Sequence, residues 1–98
     1  MGALSDAEIE QGLRALQGWE REGAAIVRAV DAPDFNAALG LVAEVGRQAE
    51  ASGHHPDIDI RYTRVVFRLT SHDTGAVTRR DLAMAGRIDT VVAQELPG

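Results

Sequence analysis

The sequence predicts an α+β fold in two layers, a four-stranded antiparallel sheet covered on one face by three helices in the order α-β-β-α-β-β-α. Three segments carry apolar residues at helical spacing, and two regions contain paired short segments in which apolar residues alternate around a turn. Two hairpins supply four antiparallel strands, and the helices need one apolar sheet face on which to pack. The 98 residues fit a single domain, 1–98.

The first helix is predicted from a capping box, in which the side chains of Ser5 and Glu8 bond each other's backbone amides. Gly18 should lie beyond its end. A hairpin follows, with strands at 19–21 and 24–30 on either side of a glycine turn. The apolar positions of this helix are Ile9, Leu13 and Leu16.

The second helix is the longest and is predicted to run from an N-cap at Asp34 to about Ala51, where Gly53 closes it in the left-handed conformation. Gly40 and Gly46 inside it lower helix propensity, and we expect them to mark close packing against a neighbouring element. Its apolar stripe is predicted to comprise Phe35, Ala38, Leu39, Val42, Val45 and Ala49.

A second hairpin and a third helix complete the fold. The hairpin strands are predicted from alternation, with Ile58, Ile60 and Tyr62 in one and Val65, Phe67 and Leu69 in the other, and the turn is expected around 62–64. Thr78 caps the last helix, with Asp81 as the third residue of a capping-box variant. The buried face of that helix should comprise Leu82, Ala85, Ile88 or Asp89, Val92 and Leu96.

Composition excludes several classes of protein. A net charge of -5 argues against direct nucleic-acid binding, which depends on neutralising phosphates. No apolar run approaches the length of a membrane helix and no signal peptide is recognisable, so we expect a cytoplasmic protein. Without cysteine there is no disulfide and no thiolate metal site. The abundance of arginine and alanine suggests a bacterial source. The uncovered sheet face is predicted to carry Arg28, Arg64 or Arg68 beside apolar residues, which favours association with a partner.

All three histidines fall within 19 residues, as His54, His55 and His72. His54 and His55 precede one strand of the second hairpin and His72 follows the other, so the hairpin brings them to one end of the sheet. Three interpretations remain open. The imidazoles bond backbone carbonyls, or bind a metal with Asp73 or Asp81 as fourth ligand, or act as general acid and base near neutral pH.

The histidines lie in a pattern that resembles the pterin-4a-carbinolamine dehydratase family. The segment 50–56, Glu-Ala-Ser-Gly-His-His-Pro, is followed by Tyr62, His72 and Asp81 at the spacing of that family's motif. Similar residues also occur at 18–19, 34–36, 69–73 and 78–81. The resemblance implies the same α-β-β-α-β-β-α fold and the loss of water from a 4a-hydroxytetrahydropterin to give a quinonoid dihydropterin, which supports tetrahydrobiopterin recycling. It implies no metal and no organic cofactor.

The resemblance also assigns roles to residues. His54, His55 and His72 match the histidines that line the family's pterin pocket, with proton transfer mainly by His54 and His72 and orientation by His55. Asp81 either caps the last helix only or also positions Arg80 or an imidazole. The residues expected to bind or surround the substrate are Glu50, Ile58, Thr70, Ser71, Arg80 and Asp81.

Two positions depart from the family's pattern. Ile58 replaces an aromatic residue and Gly53 replaces an acidic one, which bears on affinity or substrate preference rather than on the reaction. The resemblance further implies a homodimer or homotetramer, in which sheets join at their edges and long helices pack together. An alternative function is a catalytically weak binding module that acts as a dimerisation cofactor for a protein partner such as a transcription regulator.

Overall fold

The computed structural model describes residues 2–97, which contain three helices and four strands. The helices are α1 (Asp6–Arg14), α2 (Phe35–Ser52) and α3 (Arg79–Glu95), and the strands are β1 (Glu20–Glu22), β2 (Ala25–Asp31), β3 (Asp57–Arg61) and β4 (Arg64–Leu69). The sheet is antiparallel in the order β1-β2-β4-β3, so β2 and β4 join the two hairpins. The predicted fold class and element order are confirmed. Within the described range, no helix has the length and hydropathy to cross a membrane.

The hydrophobic core lies between one face of the sheet and the helices. Val65, Phe67 and Leu69 of β4 are buried and alternate with more exposed residues, so they share the covered face. Helices α2 and α3 pack on them and on each other. The opposite face is charged, and there Arg68 pairs with Glu22 of β1 at 2.7 Å.

Arg28 lies on the covered face, which corrects the sequence prediction for this residue. It stands opposite Phe67 in the β2–β4 register and therefore faces the helices. Its Nη1 donates to Oδ1 of Asp89 on α3 at 2.5 Å, and Nε1 of Trp19 donates to the same oxygen at 2.7 Å. Because side chains alternate between the two faces of β2, the charged Arg28 side chain points towards the core. The Asp89 carboxylate neutralises that charge.

The predicted helix starts are confirmed. Each start depends on contacts between residues only a few positions apart, which the sequence shows directly. Ser5 and Glu8 form a reciprocal capping box, and the bond from the Ser5 amide lowers the pKa of the Glu8 carboxyl. Asp34 accepts from the third residue after it, as an N-cap does. Thr78 and Asp81 form the second capping box, at the start of α3.

The buried face of α2 differs from the predicted stripe. Phe35 and Leu39 are 48% and 43% exposed, and Leu41 is fully buried instead. The predicted stripe was broader than the face that α2 presents to the sheet, and tertiary packing determines which part of it is covered. The buried residues of the helix are Ala38, Leu41, Val45 and Ala49.

Tyr62 lies in the expected turn between β3 and β4, with a φ of 54°, and is 78% exposed, so the alternation of β3 ends before it. The expectation for the glycines of α2 is wrong. Gly46 does not mark close packing within the chain, because a Cβ placed there meets nothing within 4 Å. Near Gly40, a Cβ would make only an ordinary 3.6 Å contact with Glu95.

Replacing Gly53 with alanine and replacing Gly46 with alanine should have opposite effects on the free energy of unfolding. Gly53 ends α2 with a φ of 68°, a conformation that costs an L-residue about 1–2 kcal/mol, so Gly53→Ala should destabilise. Gly46→Ala should stabilise by up to about 1 kcal/mol through helix propensity. Urea unfolding followed by circular dichroism measures both. A loss of stability in Gly46→Ala would contradict the open environment of that position.

Candidate active site

Three chain segments meet at the end of the sheet where β3 begins and β4 ends. His54 and His55 follow the left-handed Gly53 at the end of α2, and Pro56 leads the chain into β3. His72 comes shortly after β4, which pairs antiparallel with β3. The first turn of α3 reaches the same place, since His54 bonds to that turn.

A cleft of about 230 Å³ opens between these segments. All three imidazoles line it, so the convergence expected from hairpin geometry is present in the fold. The lining residues are Gly53, His54, His55, Thr70, His72, Asp73 and Arg80.

Asp81 is fully buried beneath the cleft and holds His54 in place. Its Oδ1 lies 2.5 Å from Nε2 of His54, whose side chain is only 13% exposed. Its Oδ2 accepts from the Thr78 amide and from the Ser71 hydroxyl, each at 2.9 Å. Asp81 is therefore both a helix cap and the partner of an imidazole, whereas the sequence had left these roles as alternatives.

These contacts assign the tautomer of His54. An ionised carboxylate only accepts hydrogen bonds, and the donors at Oδ2 of Asp81 agree with that state. The proton of the His54–Asp81 bond then belongs to Nε2, which leaves Nδ1 of His54 as the acceptor nitrogen of the ring.

The hydroxyls of Thr70 and Ser71 are engaged within the protein. Thr70 donates to the carbonyl of Ala24 at 2.6 Å. Ser71 is 1% exposed and bonds Asp81 and Thr78, the latter at 2.7 Å. Ser71 therefore supports Asp81 from below, and Thr70 lines the cleft without a free hydroxyl proton.

Four of the six predicted substrate-binding residues do not line the cleft: Ser71 and Asp81 lie beneath it, and Glu50 and Ile58 lie outside its lining. Glu50 is exposed and its Oε1 lies 2.8 Å from Nε2 of His55, so it acts on the cleft only through that imidazole. Ile58 stands opposite Phe67 and packs against the core. Asp73, expected only as a candidate metal ligand, does line the cleft. Its position directly after His72 in the sequence is the feature that could have indicated this.

Arg80 and Asp73 form a pair at the rim of the cleft. Arg80 donates from Nη2 to Oδ1 of Asp73 at 2.6 Å, and this bond lowers the pKa of the Asp73 carboxyl. The Nε of Arg80 is buried and has no hydrogen-bond partner among the described residues.

Removing the arginine should raise the pKa of Asp73. In Arg80→Gln, the carboxyl loses the charge-assisted bond, so its pKa should return towards the ordinary value, as NMR titration can measure. Since the folded-state value is the lower one, any stability from this pair is present above the ordinary pKa of aspartate and lost as the pH falls. Glu44, whose pKa is lowered by Gln48 and Arg47, is the internal control. An unchanged Asp73 pKa would contradict the assignment.

Over residues 2–97, no group of three or more His, Asp or Glu side chains is placed to hold one metal ion. The three histidines thus share a cleft without forming a ligand set.

Comparison with known proteins gives consistent results over most of the chain. The family model described as Pterin 4 alpha carbinolamine dehydratase matches residues 2–91. A Koribacter versatilis protein, provisionally named a pterin-4-alpha-carbinolamine dehydratase, is 49% identical over 88 residues, which are 90% of this chain and 94% of that protein.

Two solved structures are similar in fold. A transcriptional coactivator/pterin dehydratase from Brucella melitensis has a TM-score of 0.88 and 34% identity, covering 92% of this chain and 98% of that one. A pterin dehydratase-like protein described as a RuBisCO assembly factor in the alpha-carboxysome has a TM-score of 0.63 and 16% identity, covering 74% and 84%. The second likeness concerns the fold alone.

Proposed function

Because the chain belongs to the pterin-4a-carbinolamine dehydratase family, we propose that it removes water from a 4a-hydroxytetrahydropterin to give a quinonoid dihydropterin. The observation that carries the proposal is the cleft lined by His54, His55 and His72, with His54 held by the buried Asp81. The reaction would return the pterin to the pool used by aromatic amino acid hydroxylases.

The reaction requires two proton transfers on one bicyclic ring. Hydroxide is a poor leaving group, so the 4a-oxygen gains a proton as its bond to carbon breaks and leaves as water. The electron pair of the C4a–O bond goes with the oxygen, and loss of the proton on N5 completes the C4a=N5 double bond. A general acid and a general base contribute roughly 10²- to 10⁴-fold each, and no cofactor is required.

His54 is the general base in this proposal. The carboxylate of Asp81 accepts the Nε2 proton, which orients the ring and stabilises the imidazolium that forms when Nδ1 takes the proton from N5. Burial of His54, at 13% side-chain exposure, limits competition from water.

His72 is the proposed general acid, and His55 orients the ring or shares the exchange. His72 is exposed on the loop after β4 and lines the cleft, so it can protonate the departing oxygen. Nε2 of His55 lies 2.8 Å from Oε1 of Glu50, and this hydrogen bond restricts the orientation of the imidazole. Glu50 therefore contributes through His55.

The polar edge of the pterin is proposed to contact the rim of the cleft. Arg80 offers the terminal N–H groups of its guanidinium that the bond to Asp73 leaves free, and Asp73 next to it accepts from ring N–H and amino groups. Thr70 contributes its backbone, since its hydroxyl is engaged. Ser71 acts through Asp81 rather than on the ligand.

A direct assay tests this function. A 4a-hydroxytetrahydropterin, generated chemically, decays on its own, and its ultraviolet absorbance reports the dehydrated product. Purified protein should accelerate the decay in proportion to its concentration. A rate equal to that of buffer at every protein concentration would overturn the proposal.

A homo-oligomer built through α2 is also proposed, supported by the exposed side chains of Phe35 and Leu39 on that helix. Sedimentation of the native chain should give a dimer or tetramer, and Phe35→Ser with Leu39→Ser should weaken it. Tyr62→Ser removes an apolar side chain that is 78% exposed elsewhere and should leave assembly unchanged. A native monomer would remove this proposal.

A binding module is the second candidate function, favoured by the same exposed face and by the coactivator named for the Brucella protein. In that case the chain should bind one defined protein with the same affinity after His54→Ala. Loss of binding in that variant, with the fold retained, would argue against it.

A further inference from the structure

We propose that the substrate carries an oxyanion, such as a phosphate monoester, on its C6 side chain, and that Arg87 binds this group in a second cleft beside the first. The inference rests on the proposed function, since it concerns the side chain of the same pterin. It makes Arg87 a residue that determines substrate specificity.

The second cleft adjoins the first and has a volume of about 180 Å³. Gly53, His54 and Arg80 line both clefts, so His54 stands at their boundary. The remaining wall comes from the last turn of α2 and from α3, where Met84 and Arg87 are the largest side chains.

The chemistry of the pterin places its side chain at that boundary. C6 is bonded to N5, the atom from which His54 is proposed to take a proton. A substituent on C6 must therefore leave the first cleft close to His54. The second cleft is the space on the other side of that imidazole.

The second cleft carries the positive charge of Arg87, while the charge of Arg80 is already paired with Asp73. Arg80 and Arg87 are seven positions apart on α3, two helical turns on one face, and no carboxylate is among the lining residues. Arg87 donates from Nη1 to the neutral amide oxygen of Gln48 at 3.1 Å. No ion pair of Arg87 occurs between residues 2 and 97, although the chain is acidic and most of its other arginines pair with carboxylates.

A guanidinium is well suited to phosphate, because its N–H groups match the oxyanion geometry. An oxyanion in the second cleft would accept from the N–H groups of Arg87 that the Gln48 amide leaves free. A neutral polyol side chain would offer Arg87 no negative charge.

Two stable ligands that differ only in the phosphate test the proposal. One is a 7,8-dihydropterin with a neutral trihydroxypropyl group at C6, and the other is its terminal phosphate monoester. Calorimetry on the native chain should show the phosphate ester binding at least ~10-fold more tightly at low ionic strength, as one charge-assisted contact provides. Salt should reduce this preference.

Variants identify the arginine responsible. Arg87→Gln should remove most of the preference and Arg87→Lys should retain part of it. Arg61→Gln, which removes an exposed charge at the end of β3 away from the clefts, should leave it unchanged. Equal affinity of the native chain for both ligands, or a preference that survives Arg87→Gln, would overturn the subsite while leaving the dehydratase proposal intact. Failure of both ligands to bind would also overturn the subsite, and the rate assay decides the dehydratase proposal independently.

Discussion

Replacing His54 with glutamine should lower kcat/KM for 4a-hydroxytetrahydropterin dehydration by about 10²- to 10⁴-fold, the range expected for loss of a general base. Glutamine keeps a side-chain N–H that can donate to the buried Asp81 but has no group that takes up a proton near neutral pH. The variant therefore separates proton transfer from the support of Asp81.

His54→Ala is the less informative variant at this position. It leaves Oδ1 of Asp81 without the bond seen at 2.5 Å, and a buried carboxylate that loses a partner costs about 1–3 kcal/mol or more. A lower rate in the alanine variant would thus mix catalysis with folding. Circular dichroism and urea unfolding on both variants distinguish the two effects.

His55→Ala is the matched control for the His54 variants. Its imidazole has 61% side-chain exposure and bonds a carboxylate that is more exposed still, so its removal should affect the rate less and the stability little. Native activity in His54→Gln, or an equal loss in His54→Gln and His55→Ala, would contradict the assignment of His54 as the base.

The parts of the fold that depend on short-range contacts were predictable from the sequence. The capping pairs at Ser5 and Thr78 and the left-handed Gly53 each involve residues within a turn of one another. These capping features can therefore be recognised from the local sequence alone.

The rotation of a helix about its axis is not local, which is why the apolar stripe does not show that Phe35 and Leu39 lie outside the buried face of α2. A broad apolar stripe fits several orientations, and only the packing of α2 on β4 and α3 determines which residues are covered. Arg28 shows the same limit, since its buried position depends on Asp89, 61 positions away. Alternation gives two faces but does not say which one the helices cover.

The candidate site was partly predictable for the same reason. Hairpin geometry brings His72 to the level of His54 and His55, and all three line one cleft. The contact between His54 and Asp81 spans 27 positions and depends on how α3 docks on the sheet. The exclusion of Ile58 and Glu50 from the lining also required the packed structure.

Asp81→Asn should reduce kcat by about 10²- to 10⁴-fold with a much smaller effect on KM. The asparagine oxygen can still accept from Thr78 and Ser71, but its amide would face Nε2 of His54 as a donor. The imidazole would then carry its proton on Nδ1 and lose the acceptor that the reaction needs. The shape of the pH profile should change as well, which loss of folding alone would not cause.

Asp89→Asn provides the matched control on the same helix. Asp89 is a carboxylate with 13% side-chain exposure that bonds Arg28 and Trp19, and it does not line the cleft. Its replacement weakens an ion pair of similar burial, so stability should fall while the kcat of the folded protein stays close to native. If both variants lost kcat only in proportion to their unfolded fraction, Asp81 would be a structural cap. A loss confined to Asp81→Asn in well-folded protein identifies it as the residue that positions the His54 imidazole.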